Sequence, residues 1–212
     1  MAIPLTIARR LLAHYPQPKV ALEYTTPLEL LVATLLSTQC RDERVNRVTP
    51  ALFAHYRRAV DYARAPVERI EEAIRPTGYY RQKARTLIAC CQQLAADHDG
   101  VVPQDLEALT RLPGVGRKTA NLVRGSAFGL PAIAVDTHVS RVAQRLGLSH
   151  ARNPDRIEQD LMKVLPPEIW TPFTLAAILH GRTICTARRP RCGECPLRDI
   201  CPSPDAAQAP GA

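Results

Sequence analysis

The sequence predicts an all-α protein, and three observations support this prediction. Apolar residues recur at helical spacing in nearly every segment, prolines and glycines separate the segments, and only the short stretch PAIAV at 131–135 alternates as a β-strand would. At 212 residues, with 46% hydrophobic and 23% charged residues, the chain is typical of a globular protein with a substantial core. No apolar run approaches the ~18 residues that span a bilayer. The N-terminus lacks the order of a secretory signal, so we expect a cytoplasmic protein.

The predicted helices follow one another along the chain. The first carries an apolar stripe that includes Ile7 and Leu11, and the second, at 27–39, begins with a proline, which suits a first helical position. The later predicted helices cover 43–56, 81–98, 105–112, 116–128, 137–147, 154–164 and 170–184. Pro50 predicts a kink or break in the segment 43–56 because proline lacks the N–H that continues a helix. The tail 203–212 is predicted to be disordered.

The charge of the chain predicts a polyanionic partner. Lysine and arginine number 28 against 20 acidic residues, for a net charge of +8 and an isoelectric point near 9.4. Three windows, 75–86, 111–124 and 182–191, each hold four basic residues and no acidic one. Clustered cations without carboxylates favour contact with nucleic-acid phosphates over scattered solvated charge.

The stretch RLPGVGRKTA at 111–120 predicts a turn between two helices. Gly114 and Gly116 leave backbone N–H groups bare at the start of the second helix, and Arg117 adds positive charge. The N-terminus of a helix with exposed amides binds anions, so we expect a DNA phosphate here. The alternative is a tight helical hairpin that serves packing alone.

Lys118 and Asp136 are the candidate reactive pair. Lys118 follows the second glycine by two residues, and an unprotonated amine there would be a nucleophile, whereas a protonated one would bind phosphate as a point charge. Asp136, in AVDTH, stands where an aspartate usually caps a helix, but the same carboxylate could also stabilise positive charge or relay protons. The residues alone leave these alternatives open.

The seven cysteines fall into two groups. Cys40, Cys90 and Cys91 have apolar neighbours and are expected to be ordinary thiols. An odd number of cysteines without an export signal argues against a disulfide framework. The other four lie within seventeen residues and predict a metal site: Cys185, Cys192, Cys195 and Cys201.

The combination of these motifs resembles the endonuclease III family of helix-hairpin-helix DNA glycosylases. The matching motifs are LLSTQ, LPGVGRKTAN, AVDTH eighteen residues beyond the lysine, LHGRTICTARRPRCGECPL, and the spacing Cys-x6-Cys-x2-Cys-x5-Cys. The resemblance covers almost the whole chain. It implies a six-helix barrel at 20–130 that contains the hairpin at about 105–128, and a second lobe formed by 1–19 and 131–202.

The resemblance implies a [4Fe-4S] cluster bound by the four C-terminal cysteines. The alternative is a zinc site with four cysteine ligands, which usually shows two separate Cys-x2-Cys pairs, whereas this chain has one. The implied role of the cluster is structural: it would hold the loop 186–191 so that Arg188, Arg189 and Arg191 contact phosphates.

The implied activity is that of a bifunctional glycosylase and AP lyase in base excision repair. The enzyme would flip an oxidised pyrimidine, such as thymine glycol, out of double-stranded DNA. Lys118 would attack C1′ to give a Schiff base, Asp136 would assist, and β-elimination would nick the strand. The resemblance implies action on damaged or abasic duplex DNA, and we expect a monomer associated with the nucleoid.

The resemblance also assigns two residues that fill the gap left by the flipped nucleotide. Gln39 matches the residue that enters the duplex from one side. Tyr79, in TGYYRQKA, falls at the second position, where well-known members carry leucine, and GYY is more similar to the adenine-removing branch. The alternatives are therefore a monofunctional adenine or mismatch glycosylase of the same superfamily, or a DNA-binding module without catalysis.

Overall fold

The computed structural model describes residues 2–203, and within this range every regular element is helical, which confirms the all-α prediction. Eleven α-helices occur in the described range. They are α1 Ala2–His14, α2 Pro27–Leu36, α3 Asp42–His55, α4 Ala59–Ala63, α5 Val67–Ile74, α6 Tyr80–Asp97, α7 Leu106–Arg111, α8 Arg117–Phe128, α9 Thr137–Arg145, α10 Pro154–Val164 and α11 Trp170–Thr183. No described helix is long and apolar enough to cross a membrane. Apart from Ser203, the tail that was predicted to be disordered lies outside the described residues.

The chain divides into two compact units. One, the hairpin unit, is residues 20–128, and the other, the cysteine unit, contains 2–19 and 129–203 of the described residues. The identification of these units with a six-helix barrel and a cluster lobe stays a prediction.

Helix α2 is the centre of the hairpin unit. Thr26 and Glu29 form a reciprocal capping box at its start, and Pro27 occupies the first turn, where its missing N–H costs nothing. All seven residues from Leu30 to Leu36 are buried, in contact with α3, α6 and α8. A helix that is apolar all round must lie inside its domain, and α2 is covered by these three helices.

The cysteine unit has a separate core built by α1, α9 and α11. Ile7 and Leu11 of α1 pack with Val139 of α9 and Phe173 of α11, all of them fully buried. This core fixes the start of α9, and with it Asp136.

One expectation about secondary structure, a break at Pro50, is corrected. Helix α3 runs through Pro50 without interruption, because one missing hydrogen bond costs less than the burial of Val45 and Leu52 on its two sides gains. Residues 131–135, whose alternation resembles that of a strand, form no strand, in keeping with the all-α prediction; the Ala132 N–H and C=O both bond to the Thr171 hydroxyl at 3.2 Å. Helices α4 and α5 were not predicted.

Candidate functional site

The hairpin turn is anchored in the core of the hairpin unit by two apolar side chains. Asp105 caps α7 by accepting a hydrogen bond from the Ala108 N–H at 2.9 Å. Leu112 ends α7 and Val115 follows in the turn, and both are buried in the core of the hairpin unit. The Val115 N–H donates to Leu112 C=O at 3.1 Å, which closes the turn. The turn is therefore rigid without any ligand.

The two hairpin glycines are required for different reasons. Gly114 has φ +78°, and a Cβ atom there would overlap Thr86 Cγ2 and lie 3.2 Å from Leu35 Cδ2. Gly116 has no positive φ, and a Cβ there would meet no protein atom within 4 Å. The fold therefore explains the glycine at 114 but not the one at 116, which is exposed to an approaching partner.

Lys118 is exposed in the first turn of α8, next to Arg117, which is also exposed. The N–H groups of Gly114 and Gly116 make no hydrogen bond within the described part of the chain. Free amides and two cations at a helix N-terminus form a site for an anion. Lys118 follows Gly116 by two residues, and its side chain is open to a substrate.

Asp136 is the N-cap of α9, as the sequence suggested. Its Oδ1 accepts hydrogen bonds from the His138 and Val139 N–H groups, both at 2.8 Å. Its Oδ2 accepts no hydrogen bond from any described residue, and the side chain is half-buried. Oδ1 thus orients the carboxylate, while Oδ2 can still accept a hydrogen bond from a bound substrate.

Gln39 and Tyr79 share an unusual backbone conformation. Of the described residues other than glycine, three have positive φ: Gln39 at 52°, Tyr79 at 49° and Asp99 at 52°. Such a conformation costs about 1–3 kcal/mol in a residue with a side chain, so the surrounding structure must impose it. Both side chains are exposed, and Tyr79 retains 67% of its surface. Each side chain therefore projects from a strained turn toward solvent.

The four C-terminal cysteines line one cavity of the cysteine unit. Cys185, Cys192, Cys195 and Cys201 surround about 410 Å³ that no protein atom fills, part of it open to solvent. His180 and Arg145 also line it. Burial and the neighbouring thiols raise the pKa of Cys195, and burial is also the main cause of the raised pKa of Cys201. Thiols that resist ionisation beside one another need a cationic group between them to become ligands.

This arrangement fits a cluster better than a single ion. Among residues 2–203, no three histidine, cysteine or acidic side chains converge on a point that would hold one metal ion. Four thiols spread around a space suit a polynuclear cluster with one thiolate for each iron. A mononuclear zinc site would instead require the four sulfurs to meet at about 2.3 Å from one point.

Two arginines of α9, which the sequence did not single out, hold the cysteine loop, residues 185–201. Arg145 donates to the Thr186 and Ala187 carbonyls at 2.8 and 2.9 Å, and its Nη1 lies 3.4 Å from Cys185 Sγ. Arg141 donates through Nε to Cys185 C=O at 3.0 Å. No local pattern signals these contacts, because the partners are 40 or more residues apart in the chain.

His180 lies between the core of the cysteine unit and the cavity. Its Nε2 is 3.6 Å from Cys195 Sγ, and its Nδ1 is 3.5 Å from the Tyr15 hydroxyl. Burial, with a smaller contribution from His14, lowers the pKa of His180 to about 4, so the ring is neutral near pH 7. His180 was not predicted from the sequence as a site residue.

Some cations of the basic windows are bound within the protein. Arg188, Arg189 and Arg191 are all exposed, but Arg191 donates twice to Thr183 C=O, at 3.0 and 2.6 Å, and pairs with Glu194 at 3.2 Å. Arg111 pairs with Glu107 on α7. Lys83 is buried, so the expectation that the whole window 75–86 contacts phosphate is wrong at this residue.

Comparisons with known proteins place this chain among DNA repair proteins. Residues 32–167 match the model of the HhH-GPD superfamily base excision DNA repair proteins, and residues 185–201 match the iron-sulfur binding domain of endonuclease III. The chain is 52% identical to endonuclease III of Synechocystis sp. over 91% of its length and 88% of that protein. It is 43% identical to endonuclease III of Escherichia coli (strain K12) over 93% of both chains.

Solved structures show the same similarity. A trapped endonuclease III–DNA covalent intermediate superimposes with a TM-score of 0.91 at 41% identity, covering 99% of this chain and 100% of that one. A thermostable thymine-DNA glycosylase superimposes with a TM-score of 0.86 at 23% identity, covering 94% and 95%, which is a likeness of fold alone.

Proposed function

The chain belongs to the endonuclease III family, and we propose that Lys118 and Asp136 carry its chemistry on damaged duplex DNA. The protein is a DNA-binding base excision repair enzyme, a DNA glycosylase with AP lyase activity, and its cofactor is a [4Fe-4S] cluster. The observation that carries the residue assignment is the exposed lysine in the first turn of the helix that follows the glycine turn.

Lys118 is the proposed nucleophile. Its unprotonated Nζ attacks C1′ of the flipped nucleotide, and the C1′–N bond breaks with the electron pair leaving on the base, which takes up a proton. The amine then forms a Schiff base with the opened sugar. Loss of the C2′ proton expels the 3′-phosphate by β-elimination, and hydrolysis of the remaining imine frees Lys118.

Asp136 is the proposed electrostatic and proton-transfer partner. Its Oδ1 is held by two backbone N–H groups, which orient the carboxylate, while Oδ2 is free to face the cationic sugar or to accept a proton. The capping and catalytic roles therefore use different oxygens of one side chain.

Gln39 and Tyr79 are the proposed wedges that replace the extruded nucleotide. Their exposure and strained backbone support this role, since strained backbone conformations cluster at functional sites. A tyrosine ring can stack on the bases next to the gap. We propose oxidised pyrimidines such as thymine glycol as substrates, with sensitivity to the opposite base altered by Tyr79, and we propose that the enzyme acts as a monomer.

Cys185, Cys192, Cys195 and Cys201 are the proposed ligands of the cluster, and the cluster supplies structural order to the loop rather than a chemical step. Arg188 and Arg189 then contact phosphates from the ordered loop, together with the amides of Gly114 and Gly116 and the Arg117 side chain. The guanidinium of Arg191 already bonds to Thr183 C=O and to Glu194, so we propose that only its remaining N–H groups contact phosphate.

Borohydride trapping on duplex DNA that carries thymine glycol tests the proposal. The chain has four lysines, so mass spectrometry can locate the reduced adduct. Native protein should form an adduct at Lys118, and Lys118→Gln should form none while folding normally, because the side chain is exposed. The matched control is Lys163→Gln, another exposed helical lysine, which should trap like native protein. Base release by native protein without any adduct would instead place the enzyme with the monofunctional glycosylases.

A further inference from the structure

Lys83 is a buried cation that the proposed chemistry does not use. It keeps 8% of its surface, and its Nζ donates to two backbone carbonyls, Leu36 C=O and Thr77 C=O, both at 2.8 Å. No carboxylate pairs with it in the described part of the chain. Desolvation lowers its pKa, and a buried ammonium is rare unless its bonds matter to the protein.

The two carbonyls belong to the segments that lead to the proposed wedges. Leu36 is the last residue of α2, three residues before Gln39, and Thr77 stands two residues before Tyr79. The carbonyls at the end of a helix lack intrahelical partners, and a cation is favoured there by the helix dipole. The Lys83 N–H also donates to Tyr79 C=O at 3.0 Å, so this one residue bonds to both sides of the Thr77–Tyr79 turn.

Lys83 is the side chain that joins the two segments by hydrogen bonds. The other side-chain hydrogen bonds in them are local: Ser37 to Thr34 C=O, and Thr77 to Ile74 C=O. Both wedge positions nevertheless hold a left-handed backbone, which persists only where its surroundings impose it. The ammonium supplies a hydrogen-bonded link between the two strained turns.

We propose that Lys83 is a positioning residue for base extrusion, which ties the Gln39 and Tyr79 segments together so that both side chains enter the duplex at a set spacing. The inference rests on the proposed wedge roles. It concerns opening of the duplex rather than bond breaking, so Lys83 should affect only substrates from which a nucleotide must be extruded.

The test compares duplex and single-stranded substrates under single-turnover conditions. Lys83→Met keeps the length of the side chain without its charge or donors. We expect it to slow thymine glycol release from duplex DNA by about tenfold to a hundredfold, as small misplacements of positioning groups do. Cleavage of a single-stranded oligonucleotide with an abasic site should be unchanged. Fluorescence of 2-aminopurine beside the lesion, which reports unstacking, should rise less than with native protein.

A matched control separates positioning from stability. Leu94→Ala also alters a buried residue of α6, but in its last turn, and should affect the duplex and single-stranded reactions alike. If Lys83→Met behaves like this control, Lys83 is merely structural and the inference is wrong. If Lys83→Met does not fold, Lys83→Gln, which keeps one donor group, should show a weaker loss on duplex DNA alone.

Double variants distinguish this inference from the wedge assignment. In the Gln39→Ala, Tyr79→Ala background the effect of Lys83→Met should vanish, because the groups it positions are gone. An undiminished effect there would overturn the inference alone. If Gln39→Ala and Tyr79→Ala leave excision from duplex DNA unchanged, the wedge assignment is wrong and the inference falls with it, while adduct formation at Lys118 would still stand.

Discussion

The hairpin turn and the cysteine loop are both proposed to hold DNA phosphates, but they are stabilised in opposite ways. Leu112 and Val115 anchor the turn in an apolar core between two α-helices. The cysteine loop 185–201 contains only two short 3-10 turns and buries one side chain completely, that of Leu197. Its backbone is held by arginine side chains and, as we propose, by the cluster.

This difference shows that a phosphate-binding surface can be rigid either through its own core or through a cofactor. A turn held by buried apolar area keeps its shape in any folded molecule. A loop with few apolar contacts keeps its shape only while its polar and metal bonds remain. The two surfaces should therefore fail under different substitutions.

The largest effect is expected from Cys195→Ala. The variant should lose its iron and about 4 kcal/mol or more of stability in the cysteine unit, as losses of metal ligands do. Iron analysis and hydrogen exchange by mass spectrometry can check this. Protection should fall in 185–201 and stay in the hairpin, 106–128.

Cys91→Ala is the control for this prediction, because Cys91 is a buried thiol of the hairpin unit. It should retain iron and cost about 1 kcal/mol. A loss of protection across both units in Cys195→Ala would contradict the distinction between a core-held and a cofactor-held surface.

A smaller effect is expected at the two glycines of the turn, and their substitutions should differ in how much they lower the free energy of unfolding. Gly114→Ala should lower the free energy of unfolding by roughly 2–4 kcal/mol, because its φ is positive and the added Cβ overlaps Thr86. Gly116→Ala should cost less than about 1 kcal/mol, as alanine at a helix start does. Denaturant unfolding measures both changes.

Gly116→Ala, the milder substitution for stability, should have a clear effect on DNA binding. Gly116→Ala should weaken binding to abasic duplex, because its Cβ would occupy space that only a partner fills. Native affinity in a well-folded Gly116→Ala variant would remove this glycine from the proposed phosphate site.

Local patterns predicted most helices, the anion site at the hairpin and the metal-binding cysteines, since these depend on signals within a few residues of chain, whereas Gln39, Tyr79 and the catalytic roles came from the family resemblance. Asp136 could be placed at a helix start because capping is a short-range interaction between a side chain and the next two or three N–H groups. The cysteine spacing and the glycines of the turn are similarly local. Pro50 shows the limit, because a local rule was overridden by burial on both sides of it.

The contacts that the sequence did not predict are those between distant residues. Lys83 and Leu36 are 47 residues apart, and Arg145 and Ala187 are 42 apart. From the sequence, Lys83 is one of four cations in a basic window and nothing marks it as buried. A side chain that bonds to a backbone carbonyl leaves no signature in the partner, because every residue carries that group.

The smallest effect is expected within the cysteine loop, from a comparison of Arg188 with Arg191. Arg188→Gln should leave stability and iron content unchanged, because the side chain is exposed. If it contacts one phosphate, the dependence of log affinity on log salt should become shallower by about 0.9. Binding to abasic duplex at several salt concentrations measures this slope.

Arg191→Gln should give the opposite pattern. Its guanidinium bonds to Thr183 C=O and to Glu194, so its loss should cost about 1–3 kcal/mol and speed the release of iron, with a smaller change in the salt slope. Equal slopes and equal stabilities for the two variants would mean that the bonds of Arg191 to Thr183 and Glu194 do not hold the loop. In that case the cluster alone would have to order this surface, and the contrast with the hairpin turn would become sharper.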